Sequence, residues 1–419
     1  MVSQEFQQFP GAKPKFFYGY AVAVGAFLIM LVSIGLSTAF GVFVIPLSTE
    51  FGWTRAMTSG AYSLSMIITG LLGIVMGGLT DKFGPRIVLT ICGLFLTLGY
   101  LLMSQLCAIW QLYLFYGVII GIGMAGSWVP LVSTVARWFV KRRSTMTGFV
   151  AAGMGIGGLI APPVANQLIS AYGWRMAYLI LGIIVLIAIV SAAQLLRRDP
   201  MQKGLVPHGQ NGSKEYASKL GTKSLSFKES VFTRQFWMLF AMVFCFGFCM
   251  FAIIVHIAPH ATGLGFPPAT AAIVLATIGG LSVFGNAVFG STADRIGNRQ
   301  TFAIGFILIS AALFWLVWAT ELWNLYLFAT IFGLATGSGN AIESPLVAEF
   351  FGLESHGLIY GVIALGFSIG ASIGPFIAGY IFDVTRGYQV AFLVCAVVAI
   401  VGFILLSVLR PIKGVEVKT

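Results

Sequence analysis

The ten residues Gly77-Gly-Leu-Thr-Asp81-Lys82-Phe-Gly84-Pro-Arg86 return as Gly290-Ser-Thr-Ala-Asp294-Arg295-Ile-Gly297-Asn-Arg299, with the two acids 213 positions apart (294 − 81). The same offset relates Gly148 to Gly361, Gly153 to Gly366, Gly157 to Gly370 and Pro162 to Pro375, while Gly173-Trp174 recurs one residue later as Gly387-Tyr388. A register kept over so long a stretch implies two homologous halves in parallel orientation, and this constrains the fold more than any local pattern.

Each half is a series of apolar runs. Hydrophobic residues make up 58% of the 419, charged residues 9%, and glycine contributes 51. A water-soluble core cannot hide that much apolar surface, so the expectation is an all-α membrane protein with twelve transmembrane helices in two pseudo-symmetric six-helix bundles. Helix one runs to about Leu47 from Phe16-Phe-Tyr-Gly19-Tyr, with no small-residue cleavage site, and reads as a retained helix. Helix two ends at the first motif, and helices three to six are expected near 86–105, 109–138, 145–170 and 174–196. Helices seven to twelve are expected near 235–261, 268–292, 300–319, 323–350, 357–382 and 388–409. The implied units are a cytoplasmic segment 1–15, an amino-terminal bundle 16–196, a linker 197–234, a carboxy-terminal bundle 235–410 and a tail 411–419. Helix five packs Gly148, Gly153, Gly155, Gly157 and Gly158 ahead of Pro162-Pro163, a composition that lets backbones approach closely. The five cysteines fall in or near apolar runs and read as packing residues.

The net charge of +11 has a topological meaning. With the amino end in the cytoplasm, 21 of the 24 Lys and Arg lie on the inner side, eight of them in the linker, leaving Arg55, Arg175 and Arg386 outside. Both termini are therefore expected to be cytoplasmic, in an inner or plasma membrane, and no nucleic-acid partner is needed to explain the basic balance.

A doubled Gly-x-x-x-Asp-[Arg/Lys]-x-Gly-x-[Arg/Lys], between helices two and three and again between eight and nine, resembles the major facilitator superfamily over nearly the whole chain. The resemblance implies that Asp81 pairs near Arg137, that Arg295 reaches Glu349, and that Asp81, Arg137, Asp294, Arg295 and Glu349 form a conformational gate; the plainer reading is that these charges only mark loop ends. A finer resemblance is to the monocarboxylate porter and oxalate-formate exchanger branch. It rests on Phe17-Tyr18-Gly19-Tyr20, Phe40-Gly-Val-Phe43, Glu50-Phe-Gly-Trp53-Thr-Arg55, Ala136-Arg137-Trp138-Phe139 before Lys141-Arg142-Arg143, and Phe236-Trp237. That branch moves small carboxylates with protons or by exchange, and in many members an arginine of helix eight holds the carboxylate. Here the arginine position falls at Asn286, the helix-eleven lysine position of the oxalate exchangers at Phe367, and helix one has no lysine.

The polar residues left for a central cavity are few. Glu343 and Asn340 lie on one face of helix ten, with Asn286 at similar depth in helix eight. An acid at that depth is costly, so a functional role is the default. Glu343 is read as a proton-coupling site or as the partner of a cationic substrate, against a structural carboxyl bonded to Asn340, Ser338 or Ser344. His256 is a candidate for proton sharing or substrate contact as well as for packing, and His260 is expected at the membrane surface. Trp128, Tyr116, Phe40 and Phe367 are candidate aromatic walls, or helix packing.

There is no Walker sequence, no Gly-x-Ser-x-Gly elbow and no His-Glu-x-x-His, so no enzyme, cofactor or metal is expected. The sequence therefore implies a monomeric secondary transporter in a lipid bilayer, working by alternating access. Its small-molecule substrate is expected to be a small organic acid, with protons as coupling ion or by exchange. The alternatives are a carrier of neutral or cationic amphiphiles and a non-transporting membrane sensor.

Overall fold

A computed structural model describes residues 17–209 and 224–410, which are helical almost throughout. The expected amino-terminal segment 1–15 with Lys13 and Lys15, the middle of the linker at 210–223, and the tail 411–419 lie outside the described residues. Among the described residues eleven continuous runs are long and apolar enough to cross a bilayer, and one of them is two spans. The 53-residue run Arg143–Leu195 turns at Gly173, with φ 80 and ψ 162. That backbone is open essentially to glycine alone, and an unbroken helix of this length would be roughly 80 Å long, more than twice a hydrocarbon core.

The twelve spans are α1 Gly19–Phe51, α2 Arg55–Phe83, α3 Pro85–Met103, α4 Ile109–Trp138, α5 143–172 and α6 174–195. The second half comprises α7 Arg234–Gly263, α8 Pro268–Ile296, α9 Asn298–Val317, α10 Leu322–Phe351, α11 His356–Thr385 and α12 Gln389–Val408. Each doubled motif ends its helix with the same turn: Gly84 has φ 85 and ψ 159, Gly297 φ 100 and ψ 149. In both, the glycine reverses the chain so that the next helix starts on the following residue.

The symmetry breaks in α4. Residues Tyr113–Ile120 form a π-helix, the helix is interrupted before Trp128 (φ −123, ψ −75), and it resumes over Val129–Trp138 with Pro130 in its first turn. The counterpart α10 stays continuous through Pro345.

The halves meet along α2–α11 and α5–α8, where glycines bring backbones together. A Cβ on Gly77 would strike the carbonyl oxygen of Gly357, one on Gly148 that of Asn286, and one on Gly290 that of Ser144. These contacts cluster toward the end of the molecule that carries the doubled motif, the basic end. Toward the opposite end Gly41, Gly279 and Gly280 have nothing within 4 Å of a Cβ position. The bundles are thus closed at the basic end and part toward the far end. Stripes of exposed apolar residues, such as Ile183 and Ile187 on α6 or Val397, Val401 and Ile404 on α12, cover the outside. Four of the cysteines are buried; Cys107, between α3 and α4, is exposed.

Candidate functional site

The basic end is held by two symmetry-related arrangements. At the end of α2, Asp81 Oδ1 receives Arg137 Nη2 at 2.6 Å, and Oδ2 receives the backbone N–H of Leu358, in the first turn of α11 of the other half, at 3.1 Å. Arg137 also lies 3.4 Å from Asp199. At the end of α8, Asp294 receives the N–H of Ser144 at 3.0 Å, the N–H of Thr145 at 2.8 Å and the Thr145 hydroxyl at 2.5 Å, all in the first turn of α5. Each motif aspartate therefore sits on the amino terminus of a helix in the opposite half, where free N–H groups and the helix dipole favour a carboxylate by about 0.3–2 kcal/mol.

The expected pairing of Arg295 with Glu349 is replaced by another. Glu349 accepts Asn298 Nδ2 at 3.1 Å, and Asn298 Oδ1 in turn accepts the Ser144 hydroxyl at 2.5 Å. Arg295 is exposed, and the shorter amide of Asn298, just past the turn at Gly297, takes the acid. The last basic residues of the motifs serve within their own halves: Arg86 binds Gln194 on α6 at 2.6 Å, and Arg299 binds the Leu406 carbonyl at 3.0 Å and that of Ser407 on α12.

Behind this gate lies a buried polar chain. Trp128 Nε1 on α4 donates to the Tyr360 hydroxyl on α11 at 2.8 Å, and Tyr360 donates to Glu343 Oε2 on α10 at 3.4 Å. Glu343 is 4% exposed and Tyr360 1%, while Trp128 is half-buried. His356, one turn before Tyr360, stacks on its ring (5.9 Å, 8°) and shares a 3.0 Å hydrogen bond with Ser344. Ser344 lies 3.5 Å from the Val132 carbonyl of α4. Among the described residues Arg137 and Glu343 are the buried members of the Asp, Glu, Lys and Arg set. Arg137 has its acid; Glu343 has no cation.

Asn340 is buried with its Nδ2 unpartnered, and Asn286 is 0% exposed with neither amide atom hydrogen-bonded to the protein. Backbone packing places Asn286 there: the N–H of its peptide lies against Gly337 of α10 and its carbonyl against Gly148 of α5.

Other candidates are not brought to this group. His256 Nε2 lies 2.9 Å from the Pro375 carbonyl and its Nδ1 3.2 Å from the Tyr388 hydroxyl, which ties α7 to α11 and to the start of α12 inside one half. A carbonyl only accepts, so Nε2 carries the hydrogen. His260, expected at the surface, is buried edge-on against Phe392 at 4.9 Å, because its helix turns it toward α12. Phe40 and Tyr116 pack on each other at 4.1 Å within the first half, and Phe367 packs between Phe246 and Phe251 in the second. Of the four aromatic candidates, Trp128 alone reaches across.

Tyr360 and His356 escaped the sequence reading. Their signal was present as two polar rings four residues apart in the first turns of α11, on the face that must meet α10 if Gly357 meets Gly77. Near the far end, Glu50 accepts Trp174 Nε1 and Arg175 Nη1, both at 2.5 Å, and joins α1 to α6.

Residues 25–291 and 261–419 match the family model described as Major Facilitator Superfamily. Among curated relatives, chicken monocarboxylate transporter 4 is 28% identical over 388 residues, covering 91% of this chain and 80% of its own. Human monocarboxylate transporter 12 is 26% identical over 421 residues (94% and 81%). MFS-type transporter 1 of Ophiocordyceps sp. (strain BCC 1869) is 28% identical over 409 residues (95% and 86%). Among solved structures, FucP in the outward conformation superposes with a TM-score of 0.71 at 16% identity, covering 95% of this chain and 100% of that one. The human organic anion transporter MFSD10 gives 0.69 at 17% (93% and 99%). Both structural likenesses concern the fold.

Proposed function

The chain belongs to the major facilitator superfamily and is similar to its monocarboxylate transporters, and from that premise we propose that this transporter moves a small organic acid together with a proton, or by exchange. The observation that carries the reading is Glu343, a carboxyl buried where the two halves meet, with a tyrosine for partner and, among the described residues, no cation. An ionised carboxylate in such a place costs several kcal/mol. A group held there is suited to taking up a proton and giving it back as its surroundings open and close.

The relatives named monocarboxylate transporters support the substrate class. With asparagine at 286, a carboxylate entering this site meets amide donors from Asn286 and Asn340 instead of a fixed positive charge. Charge balance then favours entry of the acid with its proton. The substrate is proposed to bind midway between the halves, beside Trp128, Asn286, Asn340 and Glu343, and the basic end is proposed to face the cytoplasm on the ground that Lys and Arg concentrate there. Asp81, Arg137 and Asp294 are the proposed gate on that side, and one chain is the proposed functional unit.

Purified protein in liposomes, offered labelled monocarboxylates under an imposed pH gradient, tests the reading. Acid-driven uptake is expected, and Glu343→Gln is expected to abolish it while sparing exchange. No flux of any acid at any gradient, with thermal-shift binding of amines or neutral aromatics instead, would overturn the substrate class. Unchanged pH dependence in Glu343→Gln would remove the carboxyl from the mechanism.

A further inference from the structure

The chain of hydrogen bonds from Trp128 through Tyr360 to Glu343 has a direction imposed by chemistry. An indole N–H can only donate, so Trp128 occupies a lone pair of the Tyr360 oxygen. The phenol has a single hydrogen, and the acceptor in reach is Glu343 Oε2. With Glu343 ionised, both bonds point the same way and end on a negative charge, an arrangement in which each bond strengthens the other. A proton on Glu343 removes the charge at the end of the chain. If it sits on Oε2, that oxygen becomes a donor and a much poorer acceptor, and the bond from the Tyr360 hydrogen weakens further.

The bond at the other end of this chain crosses between the halves. Trp128 stands at the interruption of α4, half-buried, on one side; Tyr360 and Glu343 lie on α11 and α10 on the other. The neighbouring links on the same short stretch of α11 also cross. Leu358 N–H reaches Asp81, and His356, stacked on Tyr360, holds Ser344 beside the Val132 carbonyl. The first turns of α11 are therefore fastened to the opposite half at residues 358 and 360, with a change in Glu343 felt directly at one of the two.

The other charged and titratable groups near this stretch are accounted for. Arg137 of α4 is held by Asp81 of α2 and by Asp199. Arg143, at the start of α5, binds the carbonyls of Ala136 and Phe139 at 2.9 and 3.1 Å. On α11 itself His356 uses Nε2 on Ser344 and leaves Nδ1 buried without a partner among the described residues, so it is the second titratable group beside Tyr360, and the Glu343→Gln arm of the test below separates it from Glu343. On α10 the nearest polar neighbour, Asn340, does not titrate.

Resting on the reading of Glu343 as the proton carrier, we propose that Tyr360 is the positioning residue that makes opening of the basic end conditional on that proton. Ionised Glu343 draws the Tyr360 hydrogen, Tyr360 keeps Trp128, and the halves stay closed at the basic end. A proton taken from solution through the far-side opening onto a Glu343 oxygen weakens the bond to Trp128 and lets that end open. The proton leaves from the same oxygen when the basic side is exposed, and the ionised carboxyl favours reclosure. The only covalent bond made and broken in the cycle is the O–H of Glu343, while the cross-half hydrogen bonds of Asp81 and Asp294 part and re-form as the basic end opens and closes.

The test combines flux with a direct view of the gate. Spin labels on cysteines placed at Phe83 and Gln300, exposed positions at the basic ends of the two halves, with exposed Cys107 replaced, report their separation by electron paramagnetic resonance. In the otherwise native protein the short-distance population is expected to fall as pH falls, and net acid uptake to rise by up to about tenfold per pH unit until the site saturates. Tyr360→Phe and Trp128→Phe are each expected to flatten both profiles to less than about twofold per unit, and the distance profile, recorded without substrate, reads the latch apart from any change in substrate binding beside Trp128. The double variant is expected to match Tyr360→Phe, since the cross-half bond from Trp128 to the Tyr360 hydroxyl is already lost in that single variant.

Trp128→Phe leaves the Tyr360–Glu343 bond in place, so it carries the test alone if Tyr360→Phe fails to fold. Wild-type pH profiles of distance and uptake in the variants that fold would overturn the proposal. If Glu343→Gln abolishes acid-driven uptake while Trp128→Phe behaves as wild type, the latch is wrong and the proton carrier stands. If Glu343→Gln itself keeps wild-type pH dependence, the carrier reading falls and takes the latch with it.

Discussion

Asp81 of α2 accepts the backbone N–H of Leu358 at 3.1 Å across the boundary between the two halves. The same carboxylate holds Arg137 at 2.6 Å, so one side chain fastens the opposite half and neutralises a buried cation of its own. Asp81→Asn keeps an oxygen for Leu358 but loses the charge that serves Arg137 and the start of α11. A carboxylate at a partly buried helix terminus contributes up to about 2 kcal/mol, so the closed basic end should lose roughly ten- to thirtyfold in population. Transport is expected to slow, with expression largely intact, and the distance between the basic ends to lengthen at every pH. Wild-type transport and distances in the variant would show that Asp81 only marks a loop end.

The glycines beneath that contact test the same closure by bulk. A methyl group on Gly77 would collide with the carbonyl oxygen of Gly357, which is backbone and cannot swing aside. Gly77→Ala should leave each six-helix bundle folded and prevent the halves from meeting at the basic end. The expected result is a protein of near-normal thermal stability, trapped open at that end and without net flux. Full activity would mean that the halves approach less closely than the structure has them.

The two ends of the linker dock at equivalent places. His208 N–H donates to the Trp138 carbonyl at the end of α4, and Leu225 N–H to the Phe351 carbonyl at the end of α10, positions again 213 apart (351 − 138). The His208 ring lies among Phe17 at 5.4 Å, Phe139 at 5.9 Å and Tyr20 at 6.0 Å. Burial, and after it the nearby Arg142 and Lys141, holds its pKa below the ordinary 6.5. The docked ring thus favours the neutral form. Docking is at full strength above about pH 6.5, where the free imidazole is neutral too, and weakens as the pH falls through that value toward the lowered one. Hydrogen exchange at Val140 and Lys141, whose N–H groups bond the His208 carbonyl, should therefore quicken on acidification beyond its intrinsic trend. His208→Phe should remove that excess, and an excess that survives the substitution would place the sensitivity elsewhere.

The repeat register was enough to read the architecture, because a glycine that must adopt φ 85 or φ 100 leaves its mark at both positions 84 and 297. The pairing of Asp81 with Arg137 came with the family resemblance carried by the doubled motif, and the 2.6 Å contact between the ends of α2 and α4 agrees with it. The pairing of Glu349 was not legible. Arg295 and Asn298 both lie within reach of the end of α10 in sequence, and which one faces it depends on the turn at Gly297. The aromatic candidates were split between the bundles for similar reasons, since Phe40, Tyr116 and Phe367 are apolar enough to pack anywhere. Tyr360 was missed because its role arises from a bond to Trp128, 232 residues away, and no local pattern announces a contact of that range.

Asn286 offers the sharpest separation of stability from function. Its side-chain amide is fully buried and forms no hydrogen bond to the protein at either atom. A buried amide left unpaired costs about 1–3 kcal/mol, so replacing it with an apolar residue of similar volume should be neutral or stabilising. Asn286→Leu is accordingly expected to keep or raise the melting temperature. If the amide is retained to meet substrate when the site opens, the same variant should lose substrate affinity by about tenfold or more, the equivalent of a hydrogen bond or two to a charged group. The loss should appear as a raised KM with pH dependence preserved, because Glu343 and Tyr360 are untouched. A variant that is more stable and transports as well as the wild type would instead make Asn286 a tolerated defect of packing, and would move the carboxylate's donors to Asn340 and the indole of Trp128.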